Sequence, residues 1–465
     1  MIRPTSRMHS GAETPGSRLR VAVVGGGLCG LTLGVVLSRS GQVDVQMFES
    51  AARFGELGAG VTIGSNAVVA LQRLGLLDNV CTHTRQKPHT SKISYAMDHG
   101  EKDSVTPISS VPYSHPPGDL SISRTAFLDS LVPLFPHRLA HFKKRCLDVT
   151  HSPSDNVYRV HFTDGTFYDA DLVIGADGIR STVRRVMFQP GELRQTELGK
   201  TEYSPSLGSL DEDKHLSFSG STIYRAVVPS LLLRRKGVKM DFQKMLITLG
   251  PGSNHIFSVP ICNGTMINMV AYSHDFSQST TSGHRRPPLP YPWTRRDISL
   301  DEISDHFQGW GDDVQNMLGS MGDYTSAWDL HLLDPGLDTY SRGNIVLVGD
   351  AAHAMTPHMG AGVGQGIEDV FLLARLLIDP RTNHKNISTV MQVYDQVRRP
   401  RANWVLEQST QMGRLYACVG PDSPPGELEA MLKGYEEIFS RVQEYDVEKD
   451  AEAATMLLER QGVYA

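Results

Sequence analysis

Two patterns of apolar residues divide this chain: unbroken apolar runs near both ends of a central stretch, and strict alternation within it. Residues 20–24 predict a buried strand, 28–40 a helix closed near Gly41, and 43–49 a second strand, which together make a βαβ unit. Residues 21–38 carry no charge over a length that would suit a membrane span. Gly25, Gly26 and Gly27 break that run, with Gly30 and Gly34 close behind, so it reads as strand, turn and helix. Ser65 or Asn66 is read as the cap of an amphipathic helix bearing Val68, Val69, Leu71 and Leu74, ended at Gly75. Residues 100–120 read as loop and 124–134 as helix. Residues 138–142 and 146–150 are strand-like, and 157–162 with 166–168 flank Asp164-Gly165 as a hairpin. Residues 171–175 form another fully buried strand.

The pattern changes over 190–325. Half-buried alternation around 221–228, 245–249, 255–259 and 266–272 predicts an antiparallel sheet, and 275–297 reads as an exposed loop. A buried strand returns at 344–348, followed by a glycine-rich loop and a helix over 364–377 that Pro380 stops. From Tyr394 onward the chain is helical. One parallel-sheet unit is therefore split in sequence, with a different sheet inserted between its halves.

Composition narrows the function. The chain has 465 residues, a formal net charge of −6 and no basic tract, which argues against nucleic acid or an anionic membrane as partner. The first 18 residues are polar, without an apolar signal segment, and read as a disordered tail. Five scattered cysteines with no C-x-x-C pair point to neither a disulfide framework nor a metal ribbon, and suit a reducing, cytoplasmic setting. Glycine is in excess, with 43 residues where usual composition would give roughly 33. Thirteen of them fall in the windows 25–34, 55–64 and 360–366.

The first window holds Gly25-Gly26-Gly27-Leu28-Cys29-Gly30, a G-x-G-x-x-G between strand and helix. Gly25 permits the tight turn, Gly27 the approach of a pyrophosphate, and Gly30 close helix packing, while the helix start offers free N–H groups to phosphate. Glu49 lies 19 residues beyond Gly30, at the end of the second strand, where a carboxylate can accept ribose hydroxyls. Cys29 occupies a variable motif position and reads as a small packing residue. A second motif runs from the strand 171–175 into Ala176-Asp177-Gly178-Ile179-Arg180 and a Ser181-capped helix. A third, Gly349-Asp350-Ala351-Ala352-His353, leads into Pro357-His358-Met359-Gly360-Ala361-Gly362-Val363.

In this order the three motifs resemble the class A FAD-dependent aromatic monooxygenases of the p-hydroxybenzoate hydroxylase fold, and in particular the salicylate hydroxylase-like branch with its fungal phenol and polyketide hydroxylases. The resemblance runs from Arg20 to about Leu458, with support from Glu56–Val61, Ser123-Arg124 and Tyr224-Arg225. It implies an α/β fold: a Rossmann-type FAD-binding domain split in sequence, an inserted, mostly antiparallel substrate domain, and a helical C-terminal tail. The expected boundaries are 19–185 and 326–400 for the FAD-binding parts, 186–325 for the substrate domain, and 401–465 for the C-terminal helices. It also implies that Gly25, Gly27, Gly30 and Glu49 hold the ADP half of FAD, that Gly60 and Arg124 touch the cofactor, and that Asp350 holds the ribityl-pyrophosphate region. Gly360, Gly362 and Val363 would lie beside the isoalloxazine, and Asp177, Gly178 and Arg180 would serve both FAD and NAD(P)H.

The chemistry implied is hydroxylation of a small phenolic or salicylate-like substrate with NAD(P)H and O2, by way of a C4a-hydroperoxyflavin. Decarboxylation, dearomatisation and a place in secondary metabolism all fit it. Such an oxygen donor needs an electron-rich ring, and a phenol ionises more readily beside a cation. Arg225 matches the position for that cation or for a carboxylate anchor, while Tyr224 should face the other way along the strand. Val259 stands before Pro260 where fungal relatives often carry Tyr, so a Tyr–Arg clamp does not transfer. His353 and His358 are read as hydrogen-bonding neighbours of the flavin loop, and His255 as a substrate-side candidate. Two other readings are a flavin-dependent epoxidase of the same fold, which could do without Arg225, and a non-enzymatic FAD-fold binding protein, which would leave the second and third motifs unexplained. Metal ligation is not expected, and the oligomeric state is not legible.

Overall fold

The computed structural model describes residues 18–55, 60–100, 105–152, 157–189, 192–195, 201–204, 213–275, 286–296, 298–322, 325–424 and 426–464. Apart from Arg18, the expected tail lies outside them. The apolar runs near the two ends of the chain meet in a six-stranded sheet, in the order Ser341–Arg342, Ile345–Leu347, Leu172–Gly175, Arg20–Val24, Asp44–Glu49 and Ala140–Phe142. All its pairs are parallel except the outermost, Ser341–Arg342 with Ile345–Leu347. Both faces are covered, so Val21, Ala22, Val23, Val173 and Ile174 are fully buried, and the strands read as continuous rather than alternating. The helix Leu28–Ser40 follows the first strand and ends at Gly41 in the left-handed region (φ 64°), as its sequence predicts.

The helix Gly362–Ile378 packs against Leu28–Ser40 through small residues. A Cβ on Gly366 would lie 2.3 Å from the Cys29 sulfur, and one on Gly349 2.8 Å from it. Cys29 is thus a packing residue wedged between the first and third glycine motifs.

The alternating stretch forms an eight-stranded sheet in the order Thr294–Arg295, Ser326–Leu333, Leu216–Pro229, Met266–His274, His255–Ile261, Met245–Leu249, Lys92–Met97 and Thr106–Pro112. It is antiparallel except where Met245–Leu249 runs parallel to Lys92–Met97. Residues 100–120 are therefore not all loop: Thr106–Pro112 is an edge strand, and Leu120–Ser123 pairs with Gly60–Ile63. Thr106, Pro107, Ser109 and Ser110 are exposed at the sheet edge, which is why no apolar alternation announces it. The sheet also draws Lys92–Met97 and Thr106–Pro112 out of the span 19–185 and Ser326–Leu333 out of the span 326–400, so these strands bind the two halves together. Position 400 falls inside the long helix Ile387–Cys418, with Pro400 within it.

The helix at Ser65–Arg73 is capped by Gly64, not by Ser65 or Asn66. The Ser65 amide instead donates to Gln443 Oε1 (2.7 Å) and its hydroxyl to the His115 carbonyl (2.7 Å), so tertiary partners took the groups a cap would use. Among the described residues no helix is long and apolar enough to cross a membrane.

Gly366→Ala is expected to cost about 1–3 kcal/mol by overpacking, and the double variant with Cys29→Ala should recover most of it. Equilibrium denaturation of the two singles and the double checks this; additive losses would refute the wedge.

Candidate functional site

The carboxyl ends of the parallel strands and one face of the antiparallel sheet enclose a cleft of about 1470 Å³. Leu216–Pro229 shows how the second wall is made. Ile223, Arg225 and Val227 line the cleft, while Tyr224, Ala226 and Val228 enter the core on the other face, as strand alternation requires. The Tyr224 hydroxyl accordingly leaves the cleft and donates to Glu302 Oε1 (3.1 Å).

On the first wall, Gly25 has φ 106° and a Cβ there would lie 2.3 Å from the Ala176 carbonyl oxygen, so glycine alone fits the turn. Gly26 N–H donates to Glu49 Oε2 (2.7 Å) and Ala51 N–H to Glu49 Oε1 (2.6 Å). Glu49 is held beside the glycine turn, though it does not itself line the cleft. Gly27, Gly60, Arg124, Gly178, Asp350, Gly360, Gly362 and Val363 all do. Gly360 (φ 60°) closes a short turn so tightly against Tyr113 that a Cβ would lie 2.7 Å from the tyrosine oxygen. The helices Leu28–Ser40 and Gly362–Ile378 begin at this cleft, capped by Gly27 and Ala361 without any side-chain hydrogen bond. Their first-turn N–H groups are left for a ligand. Uncapped helix starts, glycine turns and an exposed Asp350 fit a dinucleotide with a flat ring at one end.

Asp177 and Arg180 are engaged elsewhere. Asp177 accepts from Ser181 Oγ (2.5 Å), Thr182 N–H (2.8 Å) and Val183 N–H (3.2 Å), which fixes the start of the helix Thr182–Phe188. The Arg180 guanidinium stacks 3.7 Å over Tyr291. Neither lines the cleft; of this motif, Ala176 and Gly178 reach it.

Arg225 donates through Nε to Asn268 Oδ1 (3.0 Å), and no carboxylate pairs with it among the described residues. Burial, with the nearby charge of Arg124, lowers its pKa from the ordinary arginine value. Such a cation is short of a negative partner. Val259, Tyr272, Asn268, His255 and His358 share this wall. Tyr113, Tyr272, Asn268 and Tyr416 gave no motif in the sequence; only the alternation of 266–272 could have put Asn268 and Val270 on the face of Arg225.

Behind the segment 357–363 lies a buried polar network. His353 Nε2 meets Asp369 Oδ2 at 2.5 Å, Gly349 N–H donates to the same oxygen (2.9 Å), and Arg398 Nε donates to Asp369 Oδ1 (3.0 Å). Arg398 Nη1 also pairs with Glu368 Oε2 (2.9 Å) and Asp450 Oδ2 (3.2 Å), and Arg401 Nε with Glu368 Oε2 (2.7 Å). Burial would raise both carboxyls of the helix Gly362–Ile378, but His353 and Arg398 hold Asp369 below the usual carboxylate range, and Arg401 and Arg398 do the same for Glu368. His353 is the hydrogen-bonding neighbour its sequence suggests. His358 differs: the residue is half-buried on the cleft wall, its two ring nitrogens are shielded from solvent without a side-chain hydrogen bond, and the Ser409 backbone is its polar neighbour.

The build is that of a flavoprotein with a divided nucleotide-binding sheet. A family model described as FAD binding domain matches residues 18–201 and 321–409. The chain is 37% identical over 414 residues to a salicylate hydroxylase of Pseudomonas putida, covering 87% of each. It is 30% identical over 413 residues to a 6-methylsalicylate 1-monooxygenase of Aspergillus terreus, covering 86% of this chain and 83% of the relative. A solved salicylate hydroxylase substrate complex superposes with a TM-score of 0.75 at 30% identity, over 95% of this chain and 98% of that one. The chain belongs to the FAD binding domain family, among its FAD-dependent aromatic monooxygenases.

Arg398→Met leaves Asp369 and Glu368 short of their buried cation, an expected loss of about 3–5 kcal/mol at neutral pH. Both carboxyls are depressed in the fold, so their contribution is present above the unfolded carboxylate pKa and fades as pH falls through the folded values. The gap between wild type and variant should therefore narrow below about pH 4, and chemical denaturation across pH checks it. A gap independent of pH would contradict the charge-based account.

Proposed function

We propose that this enzyme hydroxylates a small phenolic acid of the salicylate type with NAD(P)H and O2. The observation that carries this reading is Arg225, a partly buried cation on the cleft wall with Asn268 as its side-chain partner and no carboxylate beside it among the described residues. A carboxylate or phenolate of the substrate completes that pair. The relatives named as salicylate hydroxylase and 6-methylsalicylate 1-monooxygenase support the substrate class.

Bound FAD supplies hydride acceptance and oxygen transfer. In this reading, the turn at Gly25, Gly27 and Gly30 takes the pyrophosphate with the N–H groups of the helix start, and Glu49 accepts ribose hydroxyls while its own backbone donors keep it in place. Gly60 and Arg124 border the cofactor, and Asp350 takes ribityl hydroxyls. Gly360, Gly362 and Val363 let backbone approach the ring. Gly178 leaves room at the cofactor edge, and Asp177 and Arg180 support it by fixing the helix behind and the stack on Tyr291.

Arg225 then acts on the substrate in two ways. It orients the ring by holding its anionic group, and it favours the ionised phenol, whose free pKa lies near ~10. The neighbouring Tyr272 is raised above its ordinary value by burial and stays a neutral phenol, so it does not compete for the cation as an anion. Val259 leaves an apolar wall where a hydroxyl would otherwise bind, and regiochemistry rests on Arg225 and Asn268. Five cysteines, none of them disulfide-bonded, agree with a reducing, cytoplasmic site of action.

The test is FAD-loaded enzyme with NADH or NADPH across a panel of phenols, salicylates and an alkene, followed by product mass. A salicylate should gain one oxygen; concurrent loss of CO2 identifies the decarboxylating course. Arg225→Ala should raise the KM for a salicylate about 10–100-fold, as expected for a lost charge-assisted hydrogen bond of about 1.5–3 kcal/mol, with FAD still bound. Turnover of the alkene but of no phenol, unaffected by R225A, would favour an epoxidase instead.

A further inference from the structure

The antiparallel sheet and the flavin-loop segment bring three histidines together at the cleft wall. His255 and His274 lie on the neighbouring strands His255–Ile261 and Met266–His274, and His358 on the short turn Pro357–Met359. One ring nitrogen from each lies within 4.8 Å of the other two. His274 Nε2 and His255 Nδ1 are 3.3 Å apart, close to the separation of two nitrogens on one tetrahedral ion with bonds of about 2.0–2.1 Å. The ring centroids stand 5.2, 5.7 and 6.0 Å from one another, a spacing that leaves room for one ion between them.

Three further features distinguish this cluster from ordinary core histidines. His274 Nδ1 meets Ser221 Oγ at 2.7 Å, so its far nitrogen is engaged and Nε2 faces His255, the orienting contact a ligating imidazole needs. His358 has both ring nitrogens shielded from solvent and no side-chain partner, so its ring is available to a ligand. His255 and His358 both line the cleft, which supplies an entry path and an open position for a fourth ligand.

We propose that His255, His274 and His358 form a three-imidazole site for a single late first-row divalent cation, Zn2+ or Cu2+, at the substrate wall of the cleft. Three nitrogen donors without a carboxylate or thiolate suit these ions rather than Mg2+ or Ca2+. His274 and His255 already stand as a ligand pair, and His358, with one ring nitrogen within 4.8 Å of theirs, completes the set. An ion held there borders the space in which an aromatic substrate would sit, so its binding opposes substrate entry. The proposal is independent of the hydroxylase reading, because it concerns metal affinity and not turnover.

The experiment titrates oxidised, FAD-loaded enzyme with Cu2+, reading stoichiometry by equilibrium dialysis and ligands by electron paramagnetic resonance, with Zn2+ as competitor. One ion per chain with a three-nitrogen splitting is expected, displaced only by a large excess of Zn2+. His274→Ala should remove one nitrogen from the pattern and weaken binding, and Ser221→Ala, which keeps all three ligands, should weaken it about tenfold. Absence of a stoichiometric ion would overturn the proposal. So would binding that both variants leave unchanged, since the ion would then sit on other histidines.

Discussion

Removing Asp369 and Glu368 from water is the constraint on which the cofactor side of this molecule turns. Both lie on the helix Gly362–Ile378 and both are fully enclosed, so each must be matched by cations and hydrogen-bond donors from elsewhere. Arg398 and Arg401 come from Ile387–Cys418, Asn66 from Ser65–Arg73, and His353 and the Gly349 amide from the segment that opens the third motif. Because the pairing is directional as well as electrostatic, it sets the rotation of the helix. That rotation in turn aims the first-turn N–H groups of Gly362 and Val363 at the cleft.

The wedge at Cys29 fixes a second degree of freedom. The network locates the helix about its own axis, and the sulfur seated against Gly349 and Gly366 sets how closely it approaches the first glycine motif. The two glycine turns are held in register by contacts made largely behind the cleft wall. The opposite wall obeys a different rule: strand alternation alone puts Arg225 on the cleft and Tyr224 in the core.

Most of the parallel sheet was legible because its strands are buried on both faces and bounded by glycine. Leu28–Ser40 and Met245–Leu249 have the bounds their sequences imply. The edge strand Thr106–Pro112 was not legible, since an exposed edge carries no apolar period. At the site, the glycine turns leave marks in sequence because close backbone approach requires them, whereas Arg225 is legible only through the family resemblance, and strand alternation then puts it on the cleft. Asp177 shows the limit: its motif is visible, but its oxygens are taken by Ser181 and the helix start, which only three dimensions reveal. The histidine cluster joins strands whose residues are nearly twenty apart with a turn some eighty further on, and no spacing rule connects them.

The placement of Leu172–Gly175 between Arg20–Val24 and Ile345–Leu347 has a consequence for synthesis of the chain. Its second neighbour lies about 170 residues downstream, and at roughly 5–20 residues per second it leaves the ribosome roughly 10–30 s later. Throughout that interval an apolar strand with an open edge waits in the nascent protein, where another chain could pair with it. The divided sheet that assembles the cofactor site thus makes production of this enzyme sensitive to translation rate and to the capacity of chaperones that shield such edges.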